Sequence, residues 1–296
     1  MYVLVGCGEF TTKDDDVDVG TVQKVKITLN EEALSRFYST VSLDTSISCS
    51  VIFGKYHGDS TLKVRGDTSR IRLKKSFMLK VNGKKYVLER GEENGGINNR
   101  IAMRAYQLAG VAACDTESVA LFLNNQYLGC YNLITYYDEE VIGGELYKCW
   151  FKDYDHIENN HPIASLSKKK FPDDDNFTNL NCLLVAVTTF SDTEWRQFVL
   201  NNVDIEKTAT YLAVHDFLTV KDTDCTNYYI HYDGKYRIVP WDNEQCLLEN
   251  RREYFPCDDN QIIRRLATVS EIKTVYNQKM QKLFVGGGCG MYPKLA

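Results

Sequence analysis

The hydrophobic period changes part-way along this chain, and that change constrains its fold more than any other feature. Up to about residue 135 apolar and polar residues alternate, as in half-buried strands. Val22–Leu29, Ser46–Phe53, Leu62–Arg65, Ser76–Val81, Lys84–Leu88, Ser118–Asn124 and Tyr127–Ile134 all read this way. Asn82-Gly83 is the strongest short hairpin signal, and Gly54–Gly58 reads as a break. Two helices interrupt the pattern, EEALSRFY capped by Asn30 and Asn98–Leu108 stopped by Gly110. After that the period becomes helical over Phe177–Thr189, Asp192–Leu200, Asp204–Leu218, Asp259–Ala267 and Ser270–Phe284. Asp204 fits an N-cap, and Lys207 stands where a capping-box acid would sit. Strands followed by helices predict an α+β chain of two lobes. The β-rich lobe covers about 20–135 and the mainly helical lobe about 136–285, with a flexible N-terminus (1–19) and a flexible glycine-rich tail (286–296).

At 296 residues, 44% hydrophobic and 25% charged, the chain is long and apolar enough to bury a core. A net charge of −5 argues against a general polyanion binder, and no apolar run is long enough to span a membrane. The ten cysteines form no C-x-x-C pair. Cys130 and Cys182 lie in apolar runs that suit buried free thiols. Leu4-Val5-Gly6-Cys7 has the residue order of a lipoprotein processing site, which would place a lipid anchor on Cys7 and the protein outside the cytoplasm. Only six residues precede it, and a first strand or an unstructured terminus fits equally. Asp14–Asp18 reads as a solvated linker.

A polar hairpin runs from Lys221 to Glu244 (KDTDCTNYYIHYDGKYRIVPWDNE). Asp222 is followed five positions on by Asn227. Strands are predicted at Tyr228–His231 and Lys235–Val239, turning at Asp233-Gly234, and Pro240-Trp241-Asp242 closes the stretch. A carboxylate, a carboxamide and a second carboxylate in this order suit phosphoryl transfer. That chemistry needs an acceptor-orienting carboxylate, here Asp222 with Asp224 as its rival. It also needs oxygen ligands for a magnesium-type ion, here Asn227 and Asp242. The alternative is a helix-exit loop and a turn with no chemistry.

A second constellation is basic. Lys63, Arg65, Arg70, Arg72, Lys74, Lys75 and Lys80 lie on or between two predicted strands, with Asp67 as the one acid among them. Such a cluster suits a polyphosphate. Alternation puts Ser76, Met78 and Lys80 on one face and Lys75, Phe77 and Leu79 on the other, so only one of the two lysines should face a cleft. Lys80 lies within the strand, as a phosphate-pairing lysine would, and Lys75 opens it. With Phe77 as the sole aromatic there, base stacking and nucleic-acid binding are disfavoured. The loop Gly91–Gly96 lacks phosphate-loop spacing. His215 reads as structural, and Lys168-Lys169-Lys170 reads as an exposed loop.

Four stretches together resemble the CotH spore-coat kinase family, a divergent branch of the protein-kinase-like fold. They are Val64–Arg70 with Lys74–Lys80 (VRGDTSR…KKSFMLK), Asn99–Ala102, Leu121–Tyr131 (LFLNNQYLGCY) and Asp222–Asp242. They span roughly residues 20–250. The resemblance implies a two-lobed kinase-like fold, ATP with Mg2+ or Mn2+ as cofactors, and an atypical phosphotransferase acting on a protein substrate. By position, Asp222 resembles the catalytic Asp, and Asn227 and Asp242 resemble the metal ligands. Lys75 or Lys80, with Arg65 and Arg70, resemble the nucleotide phosphate contacts. Asn98 and Thr135 depart from the family pattern. The helix from Asn98 has no acid, so a Lys–Glu pair would need Glu89, Glu92 or Glu93. The main expectation is phosphorylation of Ser or Thr on a protein. AMP transfer or adenylate-activated ligation such as glutamylation on the same fold is the alternative, and a non-catalytic coat scaffold is a third.

Overall fold

The computed structural model describes residues 18–39, 45–66, 74–91, 96–137, 139–148, 168–220, 227–247 and 260–286. Cys7, Asp67, Arg70, Arg72, Glu92, Glu93, Asp222 and Asp224, singled out in the sequence, lie outside these residues. The chain divides into two compact units, 1–100 with 114–136 and 101–113 with 137–296.

Seven strands build the first unit: β1 (Gln23–Thr28), β2 (Ile47–Phe53), β3 (Tyr56–Arg65), β4 (Ser76–Val81), β5 (Lys84–Glu89), β6 (Thr116–Leu123) and β7 (Gln126–Thr135). They close into a barrel in the order β1-β2-β3-β4-β5-β7-β6. Closure comes from a parallel pairing of β1 with β6, Gln23 against Val119 through Ile27 against Leu123. Alternation does the sorting. Val25, Ile27, Val51, Leu62, Leu79 and Leu121 are buried in one cluster, while their strand neighbours face outward. Asn82 (φ 49°) and Gly83 (φ 79°) both take positive φ, which a two-residue turn with the strands' twist requires. Asn30 caps α1 (Glu31–Ser39), its Oδ1 accepting from Ala33 N at 2.7 Å.

The second unit holds α3 (Glu139–Ile142), α4 (Thr178–Thr189), α5 (Asp192–Asn202), α6 (Ile205–Phe217), α7 (Gln261–Thr268) and α8 (Ser270–Gly286). The helix α2 (Ile97–Leu108) carries the division between the two units. A four-stranded sheet lies among these helices in the order β11 (Tyr236–Pro240), β10 (Tyr228–Tyr232), β8 (Glu145–Lys148), β9 (Lys168–Phe171). Its core gathers Trp195, Tyr211, Leu212, Tyr228 and Ile230, all at most 1% exposed. Trp195 is held by an Nε1 donation to Arg265 O at 2.8 Å. Asp204 caps α6 as expected, Oδ1 accepting from Lys207 N at 3.0 Å with no reciprocal acid.

The two-lobed kinase-like fold expected from the sequence is not what forms. The β-rich part is a closed seven-stranded barrel, and the part expected to be mainly helical carries a second sheet. The physical reason is the β1–β6 pairing, which joins segments nearly a hundred residues apart and removes the open edges that separate strands would leave. Three smaller expectations also change. The predicted break after Phe53 is a two-residue turn, and β3 runs ten residues from Tyr56, its polar first half hidden from pattern reading. Lys168-Lys169-Lys170 is strand β9, not an exposed loop. Cys130 and Cys182 are exposed; they are free thiols, like Cys49, Cys114 and Cys246 among the described residues. No helix among the described residues is long and apolar enough to cross a membrane.

Candidate functional site

The polar hairpin forms in the register its alternation implies. Tyr228 pairs with Pro240 and Ile230 with Ile238. Asn227 therefore stands just outside the ladder on one strand, opposite Trp241 on the other. Trp241 N donates to Asn227 O at 3.2 Å and closes the open end of the hairpin. Asn227 (φ 65°) and Asp242 (φ 58°) are both left-handed, a region that Asn and Asp tolerate better than other non-glycine residues.

Aromatic packing sets the position of this end. Tyr137 Oη donates to Pro240 O at 2.8 Å, and its ring lies against Trp241 (6.0 Å) and Tyr229 (5.6 Å). Trp241 is 2% exposed. The following residues alternate: Trp241 and Asn243 turn inward, Asp242 and Glu244 are half-exposed. Asn243 Nδ2 donates back to Trp241 O at 3.2 Å, and Leu247 N donates to Leu218 O at 2.7 Å, tying the far end to the exit of α6. As a result carboxylate oxygens of Asp242 and Glu244 lie within 4.8 Å of one another. Reading the sequence passed over Glu244. Its signal was the i, i+2 spacing from Asp242 across a buried Asn243, an alternation that continues beyond the strand.

Within the barrel unit, the predicted basic residues separate into two places. Arg65 pairs with Ser76, so Arg65 and Lys75 sit at the same end of β3 and β4. Lys75 is half-buried, and that burial pushes its ammonium below the ordinary lysine value. Lys75 O accepts from Tyr131 Oη at 3.0 Å. Ser76 Oγ accepts from Arg90 N at 3.1 Å, which brings the end of β5 alongside. There Glu89, 3% exposed, accepts from Asn99 Nδ2 at 2.9 and 3.0 Å and from Asn132 Nδ2 at 3.0 Å. Asn132 Nδ2 also donates to Gly96 O. Of the three acids weighed as partners for a lysine, Glu89 is thus a built, buried carboxylate, and it belongs to the barrel end that carries Arg65 and Lys75.

Lys80 is elsewhere. It lies five residues further along β4, about 17 Å at strand rise, is exposed, and pairs with Thr61 on β3 and Lys85 on β5. Lys74, a member of the basic constellation to which no separate role was given, stretches over the Tyr131 ring at 4.5 Å and donates to Cys130 O at 2.7 Å. Burial, the largest influence, pushes its ammonium down; Cys130 opposes this and Arg90 adds to it. His215 is buried, its Nδ1 3.3 Å from Tyr106 Oη and its ring stacked on Tyr211.

A family model described as CotH kinase protein matches residues 62–286, well over half of the chain and including both the barrel-end residues and the hairpin. The chain belongs to the CotH kinase family. No curated protein matches it. The matched CotH region begins on β3, so β1 and β2, which close the barrel, lie outside it.

Proposed function

We propose that this CotH family member is a metal- and ATP-dependent transferase that phosphorylates Ser or Thr of a protein substrate. The observation that carries the proposal is the open end of the β10–β11 hairpin. Asn227 and Asp242 are held there by the Trp241 N to Asn227 O bond, with Glu244 beside Asp242. This donor set is all oxygen, one carboxamide and two carboxylates, without sulfur or imidazole. It fits Mg2+ or Mn2+ rather than zinc or copper. Asn227 and Asp242 are the proposed ligands, and Glu244 adds a second negative charge. When bound, the ion would supply charge neutralisation to the phosphates.

The chain's own groups have the remaining roles. Lys75 and Arg65 present cationic donors to phosphate oxygens, and Arg70 keeps that role by its sequence position. The partly desolvated ammonium of Lys75 interacts more strongly with an anion than a fully hydrated one would. Asp222 accepts the proton of the attacking hydroxyl. Lys80 has no part here, because it stands away from Lys75 along β4.

The test uses ATP labelled separately at the α and γ phosphates, with manganese or magnesium and casein as a generic acceptor, for the native protein and Asp242→Ala. Metal-dependent transfer of γ label by the native protein alone is the expected result. Transfer of α label or release of pyrophosphate would replace it with AMP transfer or ligation. Absence of metal-dependent ATP binding in calorimetry would leave the scaffold reading.

A further inference from the structure

The barrel end opposite Lys75 opens into a groove of about 880 Å3, within the range of small-ligand sites and at a barrel mouth, where such sites recur. Its lining belongs wholly to the barrel unit. Cys49 and Ser60, paired across β2 and β3, bring polar groups into the inward row that Leu62 and Val64 continue, in a barrel whose other interior residues are aliphatic and aromatic.

The frame of this groove is pinned. Ser60 Oγ donates to Lys80 O. Tyr56 Oη donates to Asp59 O at 2.6 Å. On the β1 side Asn124 clamps Leu29, Oδ1 accepting from its N at 2.7 Å and Nδ2 donating to its O at 2.9 Å. These bonds all engage the backbone, so they fix the walls and leave the outward head groups available. Asp59 and Lys80 are diagonal neighbours across β3 and β4, close enough for long side chains to meet. Among the described residues neither enters an ion pair. Ser48, Ser50 and Thr61 add three hydroxyls to the same lining.

This chemistry selects a ligand class. One carboxylate and one ammonium balance each other, which disfavours a polyanion or a cation. Tyr56 is the one aromatic ring, too little to stack a series of bases. Burial pushes the Cys49 thiol up to about 11, so it is protonated and neither a thiolate ligand nor a nucleophile. What remains is an acceptor-only group, a donor-only group and hydroxyls that do both. A neutral ligand whose own hydroxyls both donate and accept matches all of them. We propose that this groove binds a neutral saccharide, at the end of the barrel away from Lys75 and Arg65. The inference does not depend on the proposed reaction.

Titration calorimetry and saturation-transfer NMR on the full chain test it, with maltotriose, cellotriose and chitotriose as probes and tripolyphosphate as an anionic competitor. At least one trisaccharide should bind, with affinity reduced about tenfold or more in both Asp59→Asn and Lys80→Gln. Lys24→Gln, outside the groove, should bind as the native protein does. Both groove residues are exposed, so equal melting temperatures should show that the variants are folded. No binding by any of the three sugars, binding unchanged in both groove variants, or displacement by tripolyphosphate would overturn the proposal.

Discussion

Asp242 and Asn227 both occupy left-handed backbone, and each lacks the Cβ relief that glycine would offer. Keeping polar residues at two such positions fits a site whose oxygens are needed in place. Asp242→Ala should therefore keep its ligand-free melting temperature within a few degrees and lose the rise that ATP with manganese produces in the native protein. A matching rise in the variant, read by scanning calorimetry, would remove Asp242 from the metal site. His231 makes a different residue-scale prediction. It is fully buried, with Nε2 3.0 Å from Gly143 O, and burial is the main influence that pushes its pKa below 6.5; Gly143 and Asp233 oppose this and Arg237 adds to it. A pKa lower in the fold than in the unfolded chain means that the unfolded chain takes up its proton first as pH falls. The stability His231 contributes is complete above about pH 6.5 and declines as pH drops through its folded value. Thermal unfolding between pH 7.5 and 5 should show that decline, and His231→Gln should flatten it.

At the scale of elements, strand β9 shows why local composition misleads. Three consecutive lysines look solvated, yet the Lys169 side chain is 3% exposed. Its Nζ meets Glu145 at 3.4 Å, Asp174 at 2.5 Å and Asn176 O at 2.8 Å. Glu145 in turn accepts from Tyr147 Oη at 2.5 Å and Asn179 Nδ2 at 2.8 Å. Asp174 is 45% exposed and Glu145 keeps Tyr147 and Asn179, so water can replace the lost ammonium, and Lys169→Ala should lower stability measurably in urea denaturation by less than a fully buried pair would. Lys168→Ala, one residue away and exposed, should leave the curve unchanged. The start of α6 is a second such element. Asp204 caps the helix, its N donates to Tyr236 O at 3.0 Å, and its carboxylate meets Arg237 at 3.4 Å. Asp204→Ala should cost about 1 kcal/mol or somewhat more, because a cap and an ion pair go together.

On the scale of the whole molecule, both cores are built from aliphatic and aromatic side chains, and each is a continuous buried cluster in its own unit. Stability of this kind comes from apolar burial. EDTA should then remove metal-dependent ATP binding while leaving the ligand-free melting temperature unchanged. A large drop on chelation would point to a metal that holds the fold.

Most element positions were legible because they depend on neighbours in sequence. Alternation located β4 to the residue and marked Asn82-Gly83 as its turn, and Asp204 and Asn30 announced their helices. The hairpin's Asn227 and Asp242 were legible too, since a short antiparallel pair brings its two ends together whatever surrounds it. Only the tertiary structure decided the rest, because those features need partners distant in the chain. The β1–β6 pairing turns a set of strands into a closed barrel. The clamp of Asn99 and Asn132 makes Glu89 a buried carboxylate, and the partners of Lys169 make a run of lysines into a strand. Lys75 and Lys80 read as rivals for one role; the barrel sets them at opposite ends of β4, beside different neighbours.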